Sequence, residues 1–173
     1  MSDKKNLKFD TRTLAVLGVL TAMEIVLSRF LSISAWNVKI GFSFVPIVIA
    51  AMMYGPLGGG AVAAASDLLG AVLFPIGPYF PGFTLTAFLT GVVFGLFLHR
   101  KRDLKNILFA VGINQFILSL FLNTLWISVL YGSPYGPLLI TRIFQSVLLA
   151  VVQFVVIKAI ERVPALLLRQ AVV

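Results

Sequence analysis

Apolar residues gather along the chain in six runs with few polar interruptions, at roughly 12–31, 41–54, 57–73, 82–98, 107–130 and 138–160. Gly55-Pro56 ends the second run, and the third begins at once. Residues 74–81 carry Pro75, Pro78 and Pro81; each fixes φ and lacks a donor, so this stretch reads as a shaped loop. Residues 99–105 form a short basic connection, and 131–137 hold a second cluster of Gly and Pro. The runs are too long for barrel strands and show no alternation of polar and apolar positions. They match the ~20 residues of a membrane-crossing helix. The pattern predicts an all-α integral membrane protein of six transmembrane helices in one domain, 1–173. The second helix extends back toward Trp36 if Lys39 reaches the interface. The first run has a basic start, but Glu24 and Arg29 lie inside it, so it reads as a retained helix and not a cleaved signal.

Composition agrees and narrows the options. Of 173 residues 60% are hydrophobic and only 12% charged, against ~25% charged in soluble domains. The helices use nearly the whole length, which leaves no room for a soluble catalytic or ATP-hydrolysing domain. With no Cys, disulfides and thiolate metal sites are excluded. The +8 net charge concentrates where membrane insertion uses it. With six crossings, Lys4, Lys5, Lys8, Arg12, Arg100, Lys101, Arg102, Lys105, Lys158, Arg162 and Arg169 fall on one side, and Arg29, Lys39 and Arg142 on the other. That bias predicts cytoplasmic N and C termini and outward-facing loops rich in Pro, Gly and aromatics.

Ionisable and amide side chains within membrane helices cost free energy unless met by partners, so each is a functional candidate. These are Glu24, Asp67, Asn114, Gln115, Asn123, Arg142, Gln145 and Gln153. Counted from the outer helix ends, Glu24 and Asn123 lie ~10 Å deep, Asp67 ~9 Å and Arg142 ~6 Å. Four helices thus contribute to one polar layer. Arg142, Gln145 and Gln153 share a helical face, and Gln115, Ser119, Asn123 and Trp126 make a second stripe. Two facing stripes predict a cavity open to the outside and closed from within. Two plainer roles stay open: interhelical amide bridges for Asn114, Gln115 and Gln153, and an ion pair of Arg142 with Asp67 or Glu24. Trp36, Tyr79, Trp126, Tyr131 and Tyr135 suit either an interfacial aromatic belt or ligand contact.

Catalytic chemistry is poorly supplied. His99 is the single histidine and stands in the basic loop, which removes a Ser-His-Asp arrangement within the membrane. Neither a phosphate-cradling glycine loop with lysine nor paired metal-ligand carboxylates appear. The chain reads as no enzyme and carries no cofactor or metal of its own. A proton-coupled carrier using Glu24 or Asp67 is the alternative from another class.

Small residues complete the pattern. Gly59, Gly60, Ala63, Ala64, Ser66 and Gly70, with Gly91 and Gly95, suit close helix packing, whereas Ala15, Gly18 and Ala22 form a face on the first helix suited to a partner. Together with that face and the basic N-terminal tail, residues 39–46 (KIGFSFVP), 54–60 (YGPLGGG), 65–70 (ASDLLG) and 75–83 (PIGPYFPGF) resemble the substrate-capture (S) components of energy-coupling factor (ECF) vitamin transporters. The likeness is to the folate-specific (FolT) branch and covers nearly the whole chain. It implies a bacterial cell-membrane protein that binds folate from outside. It also implies partners, namely a T component docked through Ala15, Gly18 and Ala22 and two cytoplasmic ATPases, and a ligand pocket formed by helices four to six and the outer loops. Sister S components for riboflavin or thiamin share the architecture.

Depth and chemistry assign expected roles toward folate. Asp67 can accept paired hydrogen bonds from the pterin edge, and Asn123 or Gln145 can both donate and accept. Trp126, Trp36 or Tyr79 can stack on the ring. Arg29, Lys39 and Arg142 can hold the carboxylates.

Overall fold

A computed structural model describes residues 10–35 and 38–162, without the side chains of 33–40 and Arg162. Helix α1 (Thr11–Arg29) starts at Asp10, whose carboxylate accepts from the Thr11 N–H at 2.9 Å. Strands β1 (Ile33–Ala35) and β2 (Val38–Ile40) pair antiparallel, Ile33 opposite Ile40. The expected helical extension toward Trp36 is therefore replaced by a ribbon. Ile33, Val38 and Ile40 are β-branched, and a run this short carries no helical period to outweigh that preference. Trp36 lies outside the described residues. Four long helices follow: α2 (Phe44–Leu73), α3 (Pro81–Leu98), α4 (Leu104–Tyr131) and α5 (Tyr135–Arg162). All five α-helices are long and apolar enough to cross a membrane.

α2 is one element in name but two arms in shape. Gly55 takes φ 74°, ψ −163°, a conformation open to glycine, and Pro56 begins the second arm as a residue with no N–H to lose. In a straight helix residues 51 and 59 would stand ~12 Å apart. Instead, a Cβ on Gly59 would come within 2.7 Å of Ala51 Cβ, so the chain folds back on itself. The break orphans the Met52 carbonyl, whose helical donor would be the N–H that Pro56 lacks. His99, at the end of α3, supplies the replacement through Nδ1 at 3.1 Å, with its ring 3.5 Å from where a Gly55 Cβ would stand.

Glycines set how closely α2 and α3 approach. Any side chain on Gly91 would collide with the backbone of Gly59 and Gly60, and any on Gly95 with Pro56. The small residues of these two helices therefore pack internally. At the same end lies the apolar core: Leu17 and Leu20, Val48 and Ala51, Phe94 and Leu98, Ile107 and Val111, and Ile157. Buried polar residues gather toward the other end, among them Glu24, Ser66, Thr86, Thr124, Arg142 and Gln145. The bundle is thus plugged by hydrocarbon on the side of the termini and polar on the opposite side.

Two details differ from the hydropathy reading. α5 begins at Tyr135, and Pro137 sits in its first turn, where N–H groups have no helical acceptor anyway. Within α4, Ile113–Leu122 winds as a π-helix. Such a widened ladder is uncommon and frequent at functional sites.

Candidate functional site

Polar side chains at the open end fall into two groups. The first surrounds the start of α3. Thr84 donates from Oγ1 to Asp67 Oδ2 at 2.7 Å, joining α3 to the second arm of α2. Because the Thr84 proton is committed there, the Tyr79 hydroxyl donates to Thr84 Oγ1, at 3.1 Å. One residue of the Pro-rich loop is thereby tied to a half-buried carboxylate. Two positions along α3, Thr86 Oγ1 accepts from Trp126 Nε1 at 3.0 Å and donates to the Gly82 carbonyl at 3.0 Å. Phe80 lies against Trp126 with ring centroids 5.5 Å apart.

The second group lies between α4 and α5. Arg142 is 6% exposed. Its Nη2 donates to the Ser119 carbonyl at 3.5 Å, at the weak limit of a hydrogen bond, while Nε and Nη1 are buried without a partner. Among the described residues no carboxylate meets this guanidinium, and Asp67 is engaged by Thr84 instead. The accepting carbonyl belongs to the π-helical stretch, as does that of Phe121, which the Tyr135 hydroxyl reaches at 3.5 Å. Gln115 Oε1, Asn123 Oδ1 and both amide atoms of Asn114 are likewise buried without partners. α4 and α5 are antiparallel neighbours joined by three residues, so Arg142 over Ser119 sets Gln145 level with Gln115. Gln145 is itself buried. On the far side of α5, Ile140 and Phe144 are exposed, as a lipid-facing surface requires.

The structure therefore joins Asp67 with Tyr79 through Thr84, and Arg142 with the Gln115–Ser119–Asn123 stripe. Trp126 belongs to both groups, since it lies on that stripe and is held by α3. Arg29 stands apart: its guanidinium lies over Gly70, where a Cβ would meet Nε at 2.9 Å. Lys39 falls on β2, with its side chain outside the description. Ala15, Gly18 and Ala22 are all exposed, and nothing lies within 4 Å of a Cβ built on Gly18. Thr84, Thr86, Phe80 and Gly82 had escaped the sequence reading. Hydroxyls in apolar helices satisfy themselves on their own backbone, as Thr86 does on Gly82, so a search for costly groups passes over them.

A buried guanidinium with a single long hydrogen bond has lost its water without full replacement, which several kcal/mol of desolvation normally forbids. Together with the orphaned amide oxygens, it leaves unmet donors and acceptors side by side between α4 and α5, a set that an acceptor or anion carrying amide-like donors could satisfy.

Comparison with known proteins identifies the family. Residues 12–161 match the family described as ECF transporter, substrate-specific component. The folate transporter FolT of Clostridium novyi (strain NT) is 41% identical over 142 residues, covering 82% of this chain and 83% of that protein. The folate transporter FolT of Leuconostoc mesenteroides subsp. mesenteroides is 34% identical over 130 residues, 74% of this chain and 70% of that protein. A crystal structure of FolT bound with folic acid superposes with TM-score 0.83 at 32% identity, covering 87% of this chain and 93% of that one. On this evidence the chain belongs to the substrate-specific components of ECF transporters, and it is a transport component, not an enzyme.

Proposed function

We propose that this protein captures folate at the outer face of a bacterial cytoplasmic membrane and hands it to an ECF complex for import. One observation carries the reading: Arg142, buried between α4 and α5, has N–H groups that nothing among the described residues answers. Folate is a flat, amide-rich heteroaromatic with an anionic tail, and the relatives named folate transporters support it as the ligand over riboflavin or thiamin. In this reading Arg142 grips an anionic or carbonyl oxygen of folate, with Gln115, Asn123 and Gln145 around it. Asp67 and Tyr79 then border the mouth. Arg29 and Lys39 remain proposed partners of the carboxylates, and Trp36 a proposed stacking residue.

The two arms of α2 serve as separate crossings, giving six in all with both termini cytoplasmic. This is the arrangement that the distribution of Lys and Arg favours. A T component docks on Ala15, Gly18 and Ala22, and two ATPases supply the energy. Calorimetric titration of the purified chain with folic acid tests the reading: saturable binding to one site is expected. Binding of riboflavin or thiamin in its place, or of none of the three, overturns it.

A further inference from the structure

Trp126 is held more firmly than an interfacial anchor needs to be. An aromatic-belt tryptophan turns its N–H to headgroups and water, whereas Trp126 turns Nε1 inward to Thr86, which is 2% exposed. The Thr86 proton is spent on the Gly82 carbonyl, so its lone pair is aimed at the indole. Both functions of the hydroxyl are used, and its direction is fixed. Gly82 supports one face of the indole: a Cβ there would stand 2.7 Å from Cδ2 and 2.8 Å from Cε2. Phe80 closes in at 5.5 Å and 43°, itself braced edge-on by Phe83 at 6.1 Å. The ring therefore has an edge, a face and a flank fixed by the first turns of α3, and it remains partly exposed. Seven residues back on the same stripe is Ser119, the carbonyl under Arg142, ~10 Å along the helix. That separation suits a molecule with a planar ring at one end and a polar oxygen at the other.

We propose that Thr86, with Gly82 beneath the indole, is a positioning residue that sets the plane of Trp126 as a stacking shelf for the flat ring system of the ligand. The proposal rests on the folate reading above and adds to it a residue that does not touch the ligand. Thr86→Val keeps the shape of the side chain and removes both hydrogen bonds. Thr86→Ser restores them.

The test labels the protein with 5-fluorotryptophan. The chain has two tryptophans, so two ¹⁹F resonances are expected, and Trp126→Phe identifies which is which. T86V should shift or broaden the Trp126 resonance and leave that of Trp36 unmoved. It should also weaken folic acid binding about three- to tenfold, the scale of an aromatic stacking contact. T86S should return both readouts to those of the parent chain. If the parent binds folic acid and T86V binds it equally well, the positioning role is overturned while the folate reading stands. Movement of both resonances in T86V without recovery in T86S also overturns it, because that marks a general packing defect. A parent chain that does not bind folic acid overturns both.

Discussion

Arg142→Met offers the sharpest test of how the polar layer works, because ligand affinity and ligand-free stability should move in opposite directions. Arg142 is 6% exposed, and among the described residues its guanidinium holds one hydrogen bond, at 3.5 Å. Removing one partner of a buried, hydrogen-bonded charge pair costs about 2–5 kcal/mol of binding. The lower end corresponds to ~30-fold in Kd, and the length of the existing bond argues for that end in the mutant's loss. Without ligand the sign reverses. Met fills a similar volume, and the uncompensated desolvation of a buried charge, several kcal/mol in general, disappears. The ligand-free variant should therefore melt at the same temperature as the parent or above it. Arg142→Lys keeps the charge but loses the fork, and it should recover only part of the affinity. Calorimetry with folic acid and thermal unfolding of the ligand-free protein in detergent read the two quantities. An R142M variant that binds folic acid normally but melts several degrees lower would show that the arginine is a structural clamp, and the reasoning would fail.

Three further outcomes follow from particular contacts. His99→Ala leaves the Met52 carbonyl without the donor that Pro56 already denies it, at about 1–3 kcal/mol; lower thermal stability with unchanged folate affinity is expected, and equal melting temperatures would refute the role. Gly91→Ala forces α2 and α3 apart against backbone atoms at about 1–3 kcal/mol or more; an unaltered unfolding transition would show that the close approach is dispensable. Ala15→Trp with Ala22→Trp covers the exposed face of α1 without touching the polar layer. Folic acid should bind the double variant as before, while uptake by cells expressing the whole ECF complex should vanish, and continued uptake would move the docking face elsewhere.

Much of the architecture was readable because the bilayer imposes long apolar runs, and Gly55-Pro56 announces its break through the chemistry of both residues. The misread boundaries have local causes. Pro137 looks like a stop, yet a proline in a first turn interrupts nothing. Residues 33–40 were too few to display any period. Which helices approach most closely was also legible, because Gly59, Gly91 and Gly95 have no other reason to recur at that spacing. The polar layer was only half legible, and the missing half shares one physical origin. Arg142 and Asp67 stand out because their burial is costly, but their contacts do not: Arg142 reaches a backbone carbonyl, a group every residue owns, and Asp67 reaches a threonine that membrane helices tolerate freely. The π-helical winding that carries the Ser119 and Phe121 carbonyls is a register of hydrogen bonds, with no signature in composition.

These hidden contacts tie the polar end of the bundle together. Tyr79 ties the Pro-rich loop to Thr84 and so to Asp67 on α2, while Thr86, two residues along, ties α3 to Trp126 on α4. α3 is thereby in hydrogen-bonded contact with the loop, the carboxylate and the indole together. In the proposed reading, a ligand stacked on the indole would bear on the first turns of α3. Those turns also carry the hydroxyl that accepts from Tyr79, so in the proposed reading occupancy of the site and the Pro-rich loop would be linked through two threonines. This coupling requires no movement of the glycine-packed end, where α2 and α3 touch backbone to backbone. The fold thus keeps its side-chain hydrogen bonds at the polar end and its backbone-to-backbone contacts at the glycine-packed end. In the proposed reading, that division would let the mouth yield while the inner side stays sealed.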